Sequence, residues 1–221
     1  MSEQSIQQHA DAPDDDVLMG ASSSEILGGG AAVVLSILGL VHIDPITMAA
    51  VSAIALGAAF ALNGGLLAAV RSRVMARAQP STLEVVEFAG GVSVEAVTGI
   101  AAVVLGILTL LNVDAVALLP VAALVLGVGI IFSSGALARL NAAARSQKPT
   151  VERVTYSAVA FATAFHVLVG IGAAVLAILA LIGYAPLVLS LVAFLGLGAA
   201  SMLSGATMTG RLLGASHSHA A

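Results

Sequence analysis

Six long apolar stretches, near 25–42, 46–70, 88–112, 115–138, 155–183 and 186–210, decide what this chain can fold into. Each has about the 20 residues an α-helix needs to cross roughly 30 Å of hydrocarbon at 1.5 Å per residue. Of the 221 residues 59% are hydrophobic and only 9% charged, against about 25% charged in soluble domains. A water-soluble fold of this length has no place for so much apolar surface, since much of any folded surface faces water. The fold class is therefore all-α: a polytopic membrane protein with six transmembrane helices.

The stretches pair through three very short turns, His42–Pro45, Asn112–Ala115 and Gly183–Pro186. The two connections between pairs, around 71–81 and 141–150, are longer and polar. The chain thus reads as three tandem helical hairpins over 24–78, 79–147 and 148–212. An acidic cytoplasmic tail, expected to be disordered, occupies 1–23, and a short disordered tail 213–221. The first 23 residues lack a basic segment ahead of the apolar stretch, so the first helix is expected to stay in the membrane.

The hairpins also repeat in sequence. Shifting 25–68 by 70 positions gives 18 identities in 44, among them Glu25 with Glu95, Gly29 with Gly99, Asp44 with Asp114, Gly57 with Gly127 and Gly65 with Gly135. A further shift of 71 carries Gly99 onto Gly170, Leu105 onto Leu176, Gly127 onto Gly198 and Ser133 onto Ser204. Each unit crosses the bilayer twice, so the repeats are parallel, unlike the inverted repeats of many secondary transporters. A pseudo-threefold bundle is the arrangement this predicts. Lipid supplies no hydrophobic drive between helices, so close packing is assigned to small residues, including Gly57, Gly127, Gly129, Gly196 and Gly198.

All eight basic residues lie in or beside the two long connections or beyond the last helix: Arg71, Arg73, Arg77, Arg139, Arg145, Lys148, Arg153 and Arg211. The short turns hold none. The positive-inside rule then places both termini in the cytoplasm and the short turns outside, in the cell (inner) membrane.

The repeat brings Glu25, Glu95 and His166 to one position on the odd-numbered helices, and Asn63, Ser133 and Ser204 to one position on the even-numbered helices. Every member lies 19 residues from its turn centre, taken as residue 44, 114 or 185. The six therefore share a level, and form a polar ring if they face a common axis. Two carboxyls and an imidazole suit a hard or borderline divalent metal, and they suit proton sharing equally well. Ionisable groups inside a membrane are functional candidates by default. The plainer reading is an interfacial one. Nineteen residues of helix span roughly 28 Å, and Glu25, after three serines, reads as a solvated first-turn acid. His166 and the serines then serve as ordinary interhelical hydrogen-bonding groups.

Other polar features have local explanations. Asp44 and Asp114 fit turn chemistry, with an outer cation mouth near His42 as the alternative. Glu84 and Glu87, one turn apart, fit a solvated helix start, where Ser81 and Glu84 make a capping-box pattern, with paired ligands as the alternative. Asn63-Gly64-Gly65 is read as either a close-packing contact or an unwound, substrate-lining stretch. His217 and His219 lie in the C-terminal tail.

The absence of cysteine excludes disulfides and thiolate chemistry. Phosphate loops, zinc-protease helices and nucleophile elbows are also missing from the sequence, and no basic–aromatic cluster points to nucleic acid. The residues identify no cofactor. Three functional classes follow, the last of them a membrane-embedded metalloenzyme using Glu25, Glu95 and His166. The first is a non-enzymatic structural or accessory subunit of a larger membrane complex, with the lipid bilayer, other membrane subunits or further copies of itself as partners. The second is a small channel or proton- or cation-coupled transporter using Glu25, Glu95 and His166.

Overall fold

The computed structural model describes the backbone of residues 3–77, 82–145 and 153–218, and side chains over most of 20–68, 94–134 and 164–206. These form six helices: α1 (Glu3–Leu40), α2 (Pro45–Arg77), α3 (Thr82–Leu110), α4 (Ala115–Arg145), α5 (Arg153–Leu181) and α6 (Pro186–Ser218). Five carry apolar spans of 18 residues or more: Ser23–Leu40, Pro45–Leu66, Ala115–Ser134, Ala164–Leu181 and Pro186–Ala206. The described part of α3 adds a shorter apolar stretch, Val94–Leu110. The molecule is thus an all-α polytopic membrane protein. The side chains of Glu84, Glu87, His217, His219 and the eight basic residues lie outside the described set.

Where the sequence suggests tails at 1–23 and 213–221, α1 starts at Glu3 and α6 runs to Ser218. Extending a helix already nucleated by its apolar core avoids the costly first turn, so polar flanks can continue it.

The three tight turns share one construction. His42 N–H donates to Gly39 C=O at 3.1 Å and Ile43 N–H to Leu38 C=O at 3.0 Å. The same pair of bonds recurs from Asn112 to Thr109 and Val113 to Leu108, and from Gly183 to Ala180 and Tyr184 to Leu179. This is a Schellman C-cap, which satisfies the last carbonyls of the helix and needs positive φ at its first non-helical residue. His42, Asn112 and Gly183 supply it, with φ of 68°, 61° and 104°. The next helices then start at once, at Pro45, Ala115 and Pro186. Proline suits a helix start because its missing N–H would have no intrahelical partner there. Asp114 caps α4, its Oδ1 accepting from Ala117 N–H at 3.4 Å. Asp44 and Asp114 therefore sit in exposed turn positions, and Asp114 performs turn chemistry.

Each helix packs on its chain neighbours, α1 also packs on α6, and α2, α4 and α6 touch one another inside. Leu56, Leu126 and Leu197, at equivalent repeat positions on these inner helices, are all fully buried in one core cluster. Phe60 and Phe194 extend that cluster. The outer faces expose aliphatic rows at equivalent positions: Val34, Val104 and Val175; Ile37, Ile107 and Ile178. The buried hydroxyls of Ser52 and Ser190 are satisfied along their own helices, bonding Met48 C=O and Pro186 C=O, both at 2.8 Å.

Neighbouring hairpins cross closely at paired glycines. A Cβ on Gly57 would stand 2.5 Å from Gly99 O, and one on Gly99 would stand 2.5 Å from Gly57 O. Gly127 and Gly170 oppose each other in the same way across α4 and α5, as do Gly29 and Gly198 across α1 and α6. Only residues without side chains permit backbones this close. Gly196, by contrast, has no atom nearer than 3.8 Å to a built Cβ.

Candidate functional site

The two halves of a hairpin run antiparallel about their turn, so Glu25 on α1 and Asn63 on α2, each 19 residues from residue 44, reach the same level. The Gly57–Gly99 crossing brings in α3. Asn63 lies six residues beyond Gly57 and Glu95 four residues before Gly99, both toward the end of the bundle opposite the tight turns. The Gly29–Gly198 crossing delivers Glu25 and Ser204 with the same two offsets. Backbone contact at the glycines thus sets the polar groups one to two helical turns away.

There the Asn63 amide bridges two carboxylates. Its Nδ2 donates to Glu25 Oε1 at 2.8 Å and to Glu95 Oε1 at 3.2 Å. The Ser204 side chain hydrogen-bonds Glu25 from α6. Glu25 and Asn63 are 7% exposed and Glu95 9%, so these are interior groups. Helix α1 starts 22 residues before Glu25, which rules out a first-turn, solvated acid. Likewise α2 is continuous through Asn63, Gly64 and Gly65, so that stretch is not unwound.

Four of the six ring positions therefore meet: Glu25, Asn63, Glu95 and Ser204. The remaining two occupy the equivalent place at the α4–α5 crossing, Ser133 six residues beyond Gly127 and His166 four before Gly170. The Ser133 hydroxyl bonds Ile130 C=O of its own helix at 3.1 Å, and His166 is half-buried. Among the described residues no group of three or more His, Cys, Asp or Glu side chains is arranged to hold a metal ion. Glu25, Glu95 and His166 accordingly do not make a three-ligand metal centre in this arrangement.

Two features were not evident from sequence. Asn63 stood in the repeat as one more neutral polar group, and its central role depends on how α2 is rotated about its axis. The Ser36 hydroxyl also donates to Ser52 at 3.4 Å across α1 and α2, deep in the interior; small polar residues on facing helices were the only signal.

Chemically, the cluster offers two acidic oxygen pairs and three neutral hydrogens, two from Asn63 and one from Ser204. Hydrogen bonds alone offset only part of the cost of burying a carboxylate, which several kcal/mol per group approximates. Comparison with protein-family models, curated proteins and solved structures returns no match for the chain.

Proposed function

We propose that this protein is a non-enzymatic carrier or coupling module that takes up a proton or a small cation at Glu25, Asn63, Glu95 and Ser204. The observation that carries this reading is the single buried amide shared by two carboxylates from different hairpins. Intramembrane acids are costly, and they concentrate along ion and proton paths. In this reading all six helices cross the membrane as three parallel hairpins about a pseudo-threefold axis, with both termini cytoplasmic and the cluster at the cytoplasmic end. The matching turns, glycine crossings and inner leucines support the threefold arrangement, and the distribution of basic residues supports the orientation. The packed interior around Leu56, Leu126 and Leu197 favours a carrier over a standing pore.

The test is ion and proton flux in vesicles containing the purified chain. Wild-type protein should move protons or a cation, and Glu95→Gln should reduce the rate at least tenfold. Equal flux in the two proteins would remove the cluster from the pathway.

A second reading, an accessory subunit of a larger membrane complex, is favoured by the same filled interior together with the exposed aliphatic rows. Native mass spectrometry from gently solubilised membranes separates the two: a stoichiometric partner protein supports the subunit, and a chain alone that sustains flux supports the carrier.

A further inference from the structure

We infer that the positive charge taken up by the cluster is a proton rather than a metal ion, and that this proton latches the first hairpin to the second. The inference rests on the positive-charge reading above and specifies its ligand and consequence. Both hydrogens of the Asn63 amide point at carboxylate oxygens. A metal ion between Glu25 and Glu95 would face the positive end of those N–H bonds, and an amide binds metal through its oxygen, not its nitrogen. The described residues likewise bring no third His, Cys, Asp or Glu into a metal-holding group. A proton needs only a carboxylate oxygen. It leaves the amide bonds in place and removes one of the two like charges that Asn63 holds together.

The cluster is also where the seams converge. Glu25 belongs to α1, Asn63 to α2, Glu95 to α3 and Ser204 to α6. With one proton bound, Asn63 ties α1 and α3 to α2. With none, two carboxylate charges repel between α1 and α3, helices that each pack on α2 and, among the described residues, not on one another; α2 and α3 cross at Gly57 and Gly99, about a turn from Glu95. Loss of the proton therefore spreads α1 from α3 at this end, while the glycine crossings act as the pivot. Among described groups at this level, α2, α4 and α6 contribute the neutral Asn63, Ser133 and Ser204. Among the described residues, the other titratable side chain at this level is His166 on α5, a helix that packs on α4 and α6.

The chain contains no cysteine, so spin labels can be placed without background. Leu27→Cys and Val97→Cys put labels on the exposed faces of α1 and α3, two residues from each Glu. The distance between them is then measured by pulsed electron resonance in lipid nanodiscs. It should lengthen as pH rises and stay unchanged on adding Na⁺, K⁺, Mg²⁺ or Ca²⁺ at fixed pH. The response should persist in His166→Gln and vanish in the isosteric Glu25→Gln/Glu95→Gln protein. If that double variant does not fold, the single Glu95→Gln protein serves, with a response reduced by half or more. A distance that follows an added cation instead of pH would overturn the proton latch while leaving the positive-charge site intact. A distance indifferent to both would overturn the latch, and flux lost in Glu95→Gln would still stand for the carrier. If flux were also unaffected, both would fall.

Discussion

Asn63 spends both amide hydrogens on carboxylates from two other helices, so its loss is felt twice. Asn63→Ala should destabilise the folded protein by about 1–3 kcal/mol, the range for hydrogen bonds to charged groups tempered by the smaller values seen in membranes. The same change in a Glu25→Gln/Glu95→Gln background should cost less than about 1 kcal/mol, because no buried acid is left without its donor. Unfolding in a denaturing detergent measures both, and equal penalties would mean that the amide serves packing alone. The turns give a second residue-level expectation. Gly183 has φ of 104° with open space around it, so a methyl group there meets backbone strain and nothing else. Gly183→Ala should lower stability by about 1–2 kcal/mol, readable in the same unfolding experiment. At this scale the sequence was partly legible. Distance from the turns placed Glu25, Asn63, Glu95 and Ser204 at one level, since antiparallel helices of constant rise keep count for each other. It did not say which way each helix faces, and rotation separates Ser133, bonded to its own helix, from Asn63, which bridges three.

Between elements, the glycine pairs decide how the hairpins meet. Gly57→Ala would set a methyl carbon 2.5 Å from Gly99 O, so the crossing must open, at about 1–3 kcal/mol. Gly65→Ala, on the same helix, meets nothing within 4 Å and should be neutral or stabilising by up to about 1 kcal/mol, given the helix preference of alanine. Comparing the two by thermal aggregation of the detergent-solubilised protein separates helix propensity from crossing geometry; a like response would contradict the assigned contact. Sequence named Gly57, Gly127 and Gly198 as packing residues. Their partners Gly29, Gly99 and Gly170 were visible as repeat positions, yet the pairing joins α1 to α6, α2 to α3 and α4 to α5, which a one-dimensional pattern does not specify. Apolar run length located five of the six expected spans, and α3 shows a shorter apolar stretch over Val94–Leu110. Helix ends were harder, because α1 and α6 continue into polar segments where hydropathy gives no signal.

For the whole molecule, the proposed orientation, with the three tight turns outside, rests on the distribution of basic residues. Cysteines introduced at Ile43, Val113 and Tyr184 should all react with a membrane-impermeant thiol reagent added from outside intact cells, and one at Ser146 only after lysis. A split among the three turns would break the parallel-hairpin topology. In the proposed mechanism Glu25, Asn63 and Glu95 take up positive charge inside the bundle. Isotope-edited infrared spectroscopy of the glutamate carboxyls tests it most directly, in membranes titrated with pH and then with cations. Subtracting the Glu25→Gln/Glu95→Gln spectrum from wild type isolates these two groups. A difference signal should appear that changes with proton or cation concentration, as a carboxylic acid band or a perturbed carboxylate. A difference spectrum of two ordinary carboxylates, unchanged across both titrations, would contradict it.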